Sequence, residues 1–128
     1  MELIPNIITF LMLNPTVTAL FDHRITGIDV PDGQTYPYAY LWEPNSNRIY
    51  THQGAGGREV LVQLDVVSDT IISCDEAKRT LEDALTGYRG MMGDVSVGKC
   101  FVNTTSVPKD ADQKAYRNIL ELTIGLNS

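Results

Sequence analysis

The amino-acid sequence predicts an α+β fold: a mixed or mainly antiparallel sheet packed against two or three helices, in a single domain spanning residues 1–128. Two patterns predict it. Apolar residues recur at helical spacing near the N-terminus and again after Ser73, whereas strict alternation runs through Val60, Val62, Leu64 and Val66 and through Leu120, Leu122, Ile124 and Leu126. The resulting order is helix, short helix, three or four strands, helix and two strands. It does not alternate as βαβ units do, which excludes an all-parallel sheet.

Leu3, Ile4, Ile7, Ile8 and Leu11 make one apolar stripe, widened by Phe10, on a helix that Asn14 before Pro15 must end. Asn14 then serves as N-cap and Pro15 as first residue of a second helix, whose Val17, Leu20 and Phe21 share a face. Ile25, Thr26, Ile28 and Val30 predict a strand over residues 24–30, followed by a turn at Pro31-Asp32-Gly33. Tyr36, Tyr38, Tyr40 and Trp42 alternate with Pro37, Ala39 and Leu41, so four aromatics share one sheet face; both faces read as covered. Pro37 lacks an amide donor and belongs at the start of this strand or on an edge. Residues 45–57, rich in Asn, Ser, Gly and Gln, read as a long hairpin or loop tipped by Gly54-Ala55-Gly56-Gly57.

The alternating strand through Val67 has a register that a one-residue slip would destroy, because the slip exposes the whole valine face. Ser73 and Glu76 match a capping box ahead of a helix with Ala77, Leu81, Ala84 and Leu85 on its apolar face, closed by Gly87. Residues 87–98 read as irregular, Cys100, Val102 and Thr104 as a strand, and residues 108–113 as a polar turn. Alternation from Tyr116 to Leu126 predicts a final antiparallel strand.

Composition excludes several functions. A net charge of −6, with acidic residues scattered along the chain, leaves no basic footprint for holding phosphates. The longest apolar run is broken at Thr9 and stopped by Asn14-Pro15, far short of the roughly 20 residues a membrane span needs. Cys74 and Cys100 read as reduced, core-type cysteines of a soluble, cytosolic product. Gly54-Ala55-Gly56-Gly57 precedes a strand and lacks a following Gly-Lys-Ser/Thr, so it is no phosphate loop; Gly98-Lys99 fails the same test. His23 and His52 are the only histidines, without the spacing of a metal site, and no Gly-x-Ser-x-Gly elbow occurs. Asp75, Glu76, Glu82 and Asp83 are explained by a solvated helix face and the helix dipole. The aromatic row has no interleaved Lys or Arg, as a platform for single-stranded nucleic acid would. The expectation is a protein without catalytic, metal or cofactor sites that works by pairing with other subunits.

The succession of segments resembles the tail terminator and tail-completion proteins of long-tailed bacteriophages, including the tail-to-head joining proteins. The resemblance is carried by the tandem helices through Phe21, Pro37-Tyr38-Ala39-Tyr40, Gly57-Arg58-Glu59-Val60 leading into the strand that ends Val67-Ser68, the helix from Asp75 to Leu85, and the C-terminal alternating strand. The glycine-rich residues 87–98 depart from that pattern. The resemblance implies a structural virion protein of the tail or neck, assembled in the host cytoplasm. It implies a homo-oligomeric ring, commonly of six subunits, that caps the head-proximal end of the tail tube, stops polymerisation and docks the tube protein to the neck or head-completion protein. DNA passes through the ring without specific binding, and no membrane is involved. Arg48, Ile49, Tyr50 and His52, on the loop over residues 45–57, and Arg58, which follows it, are the expected subunit or partner contacts. The alternatives are a head-side neck protein and a ferredoxin-like regulatory domain that binds a small ligand.

Overall fold

A computed structural model describes residues 3–27, 34–43, 50–51, 58–107 and 115–127. Helices α1 (Leu3–Met12) and α2 (Pro15–Phe21) open the chain and are bent by 94° to one another. Asn14 makes the bend: its Oδ1 accepts from the amides of Thr16 (2.9 Å) and Val17 (3.3 Å), capping α2 while Pro15 stops α1. The bend lets Leu3, Ile7 and Leu11 of α1 and Val17 and Phe21 of α2 bury in one core. No single helix among the described residues is long and apolar enough to cross a membrane.

The strands are β1 (Ile25–Thr26), β2 (Tyr38–Trp42), β3 (Tyr50–Thr51), β4 (Arg58–Ser68), β5 (Gly90–Met92), β6 (Val95–Val107) and β7 (Tyr116–Leu126). They form one sheet in the order β1-β2-β4-β7-β6-β5, with β3 pairing β4 on the edge that also carries β2. Only β1 against β2 is parallel, so the sheet is mixed and mainly antiparallel, as expected. Helix α3 (Ile71–Leu85) joins β4 to β5. Leu41, Val62, Leu64, Val66, Leu120 and Leu122 line the core side of the sheet, and Ala77, Leu81 and Leu85 of α3 bury against the same cluster. Each such side chain contributes about 1.5–3 kcal/mol by leaving water.

Three expectations change. First, α3 starts at Ile71, with Thr70 and not Ser73 as N-cap: the Thr70 hydroxyl accepts from the Ser73 amide at 3.1 Å. Ser73 lies inside the first turn, where its hydroxyl accepts from Ser68 Oγ at 2.6 Å and ties the helix to the end of β4. Gly87 closes α3 with φ +73°, a left-handed conformation that suits glycine.

Second, residues 87–98 are not irregular. β5 and β6 make a hairpin turned by Gly93 and Asp94; Gly93 sits at φ +57°, and a Cβ there would collide with the Asn6 carboxamide, which accepts from the Asp94 amide at 2.9 Å. Strand β6 therefore begins at Val95, five residues before the predicted Cys100. A register shift between Val97 and Lys99 inserts Gly98 and inverts the alternation, so buried Val95 and Val97 are followed by buried Cys100.

Third, β1 covers Ile25 and Thr26 only; residues 28–30, the turn after them and residues 108–113 lie outside the described residues. Ala39 and Leu41 are buried as predicted, but the aromatic face of β2 is half-exposed: Tyr36 stacks on Tyr38 at 5.8 Å between ring centroids, and no described helix covers them.

Candidate assembly surfaces

The face of the sheet turned away from the helices is built from cross-strand rows. One row runs Tyr40, Asp65, Ile119, Thr105 across β2, β4, β7 and β6; the next runs Trp42, Gln63, Glu121, Asn103. Asp65 stands at the centre and is only 2% exposed. A buried carboxylate is tolerated only with partners. Here they are Tyr40 Oη, donating at 2.9 Å, Gln63 Nε2, donating at 2.8 Å, and the Arg117 guanidinium at 3.8 Å. Burial, reinforced by the hydrogen bond to Asp65, raises the Tyr40 phenol above its ordinary pKa, so it remains a donor at neutral pH. The network fixes the aromatic row of β2 against β4 and β7. Replacing Asp65 by Ala strands its three donors and is expected to lower stability by about 1–3 kcal/mol, read from chemical denaturation midpoints. An unchanged midpoint would show that the network carries no stability.

Two of the five expected contact residues, Tyr50 and Arg58, lie on described strands, at one end of the sheet. Tyr50 lies on β3 opposite Glu59, and Arg58 opens β4 between Thr51 of β3 and Leu126 of β7, so these two come together. Arg48, Ile49 and His52 lie outside the described residues. Next to them the Lys99 ammonium pairs with the Glu59 carboxylate across Gly125, where any Cβ would strike the Lys99 stem. Lys99 Nζ also sits 5.5 Å from the centroid of the Phe101 ring, which is 61% exposed. Phe101 was not legible as a surface residue, because the bulge at Gly98 hides which face it occupies.

Among the described residues no group of three or more His, Cys, Asp or Glu is placed to hold a metal ion. Cys74 and Cys100 are free and buried. Burial pushes the Cys100 thiol up to about 11, and burial with the Asp75 carboxylate raises Cys74, so neither is a thiolate near neutral pH.

The sequence matches the family described as tail completion protein gp17 over residues 5–126. The chain belongs to that family. It is therefore a structural component of the virion tail and not an enzyme, as the sequence led us to expect. Two solved structures are similar in fold. A chain of the virion of a native gene transfer agent particle superposes with a TM-score of 0.73 at 15% identity, over 93% of this chain and 90% of that one. The gp17 protein of bacteriophage SPP1 gives a TM-score of 0.58 at 18% identity, over 93% and 84%. No curated protein matches the sequence.

The other end of this tail-completion protein is more apolar. Ile71 and Ile72 stand exposed on the first turn of α3, Ile72 at 81%. Beside them a cleft of about 270 Å³ opens between α3 and the β6–β7 pair, lined by Ile71, Asp75, Val107, Tyr116 and Arg117 among others. At its floor Asn118 Nδ2 donates to Cys74 Sγ (3.3 Å) and to Asp75 Oδ1 (3.2 Å), joining β7 to α3. These surface residues carry no sequence signature; they converge only because β4 runs straight into α3 at the end of the sheet where β7 begins.

Proposed function

We propose that copies of this tail-completion protein close into a ring, of six subunits, that caps the head-proximal end of the tail tube. The ring ends tube polymerisation and joins the tail to the neck or head-completion protein. The observation that carries this reading is the family match over residues 5–126, nearly the whole chain. The similar folds of a gene transfer agent virion chain and of bacteriophage SPP1 gp17 support it. The charge of −6 supports a conduit role, since an acidic wall repels phosphates and lets DNA pass without holding it. Arg48, Ile49, Tyr50, His52 and Arg58 are the residues we assign to contacts with a neighbouring subunit or the tube.

Particles produced without this chain test the reading. Electron microscopy is expected to find tails of uneven length and heads without tails, with uniform joined tails restored when the purified protein is supplied. Tails of normal length joined to heads in its absence would refute it.

A further inference from the structure

The two edges of the sheet are finished differently. At the β1–β2 edge, β1 covers Ala39 and Tyr40, the Ala39 amide donates to the Arg24 carbonyl at 3.0 Å, and Arg24 Nε donates to the Pro37 carbonyl at 3.0 Å. Pro37 has no amide to offer, so β1 and Pro37 together leave β2 little free edge from Pro37 to Tyr40. At the other edge β5 covers β6 only over Val95–Val97, and the last described bond on that side is from the Gly87 amide to the Cys100 carbonyl at 2.9 Å. In an antiparallel strand every second residue points its amide and carbonyl the same way. Cys100 points away from β7, so Val102, Thr104 and Ser106 do too, and no described strand pairs with them.

Such an edge is a template for another chain unless proline, charge or a cover blocks it. Among the described residues nothing covers it, and residues 100–108 contain no charged side chain and no proline before Pro108. The edge also runs into the apolar cleft, because Val107 lines both, and exposed Phe101 and Ile71 flank it.

We propose that this free edge of β6 receives β3 of a second copy, so that the sheet continues from one subunit into the next. This rests on the ring reading above. A ring needs a head-to-tail interface that joins two different surfaces. β3 lies on the opposite side of the sheet from β6 and, among the described residues, pairs on one side only, with β4. Charge favours the same partner. Residues 44–58, which carry β3, hold Arg48, His52 and Arg58 and no acid, whereas the cleft at the receiving end carries Asp75, and the cation that lines it, Arg117, is paired with Asp65. In a chain of net charge −6, this match offsets part of the repulsion between two acidic copies.

Thr104→Pro tests the proposal, because it removes an outward amide and leaves the bonds to β7 in place. The variant is expected to keep its unfolding midpoint and to lower the yield of joined particles about a hundredfold. Full yield would overturn the β6 assignment. Removing residues 46–56 separates the two readings. If that removal blocks joining while Thr104→Pro does not, the ring stands and the edge is wrong; if neither changes the yield, both fail. As a direct readout, Thr51→Cys is combined in turn with Val102→Cys, Thr104→Cys and Ser106→Cys. One of the three is expected to give disulfide-linked multimers in oxidised particles, against a background kept low by the burial of Cys74 and Cys100. Monomers alone from all three would overturn it.

Discussion

Cutting residues 46–56 out of the chain is expected to leave a folded protein that no longer assembles, with the yield of joined particles falling by about a hundredfold or more. The fold survives because, among the described residues, the excised piece contributes only β3, whose two residues pair with Arg58 and Glu59 at the end of β4. Both flanks of the cut stay anchored in the sheet, Trp42 opposite Gln63 of β4 and Arg58 opposite Leu126 of β7. Assembly fails because the cut removes Arg48, Ile49, Tyr50 and His52 together. Circular dichroism and a melting curve monitor the fold, and electron microscopy the particles. A normal melt with normal particles would remove this segment from the contact surface.

Phe21→Ala is expected to act on the opposite property, lowering the unfolding free energy by about 3–5 kcal/mol and the melting midpoint by roughly 10–20 °C. Phe21 is fully buried at the end of α2, in the cluster where both N-terminal helices meet α3 and the sheet. Removing its ring leaves a cavity that rigid neighbours cannot fill, since α1 and α2 are held at their bend by the Asn14 cap. Equilibrium denaturation checks the figure. A loss below about 1 kcal/mol would show that the helices re-pack around the gap.

These two positions differ in how far the sequence revealed them. Phe21 belongs to an apolar stripe whose period can be counted, and Asn14-Pro15 dictates both the end of one helix and the start of the next. The strands β4 and β7 were equally legible because Val60, Val62, Leu64 and Val66 of one and Leu120, Leu122 and Ile124 of the other bury at every second position. Thr70 was missed as the cap of α3 because Ser73-x-x-Glu76 satisfies the same local pattern. The choice between them falls to where β4 ends and which residue, Cys74, must turn into the core. The early part of β6 was missed because one inserted residue at Gly98 reverses the phase that pattern reading depends on.

Asp65 shows the limit most clearly. On the strand pattern it is one polar residue on the outward side of β4, indistinguishable from Gln63 or Glu59. Its burial follows from Tyr40, 25 positions before it, and Arg117, brought beside it by the registers of β2 and β7.

The sequence by itself determined the helices, the two long alternating strands, the α+β class and the tail-completion family, because each is written in local spacing or in the order of segments. Only the tertiary structure decided which strands stand at the two edges of the sheet and how much of each its neighbour covers. It alone placed Asp65 within its network and gathered Ile71, Val107 and Tyr116 around one cleft. Those features depend on backbone groups and side chains far apart in the chain, whose meeting is settled by strand register and by the path from β4 into α3.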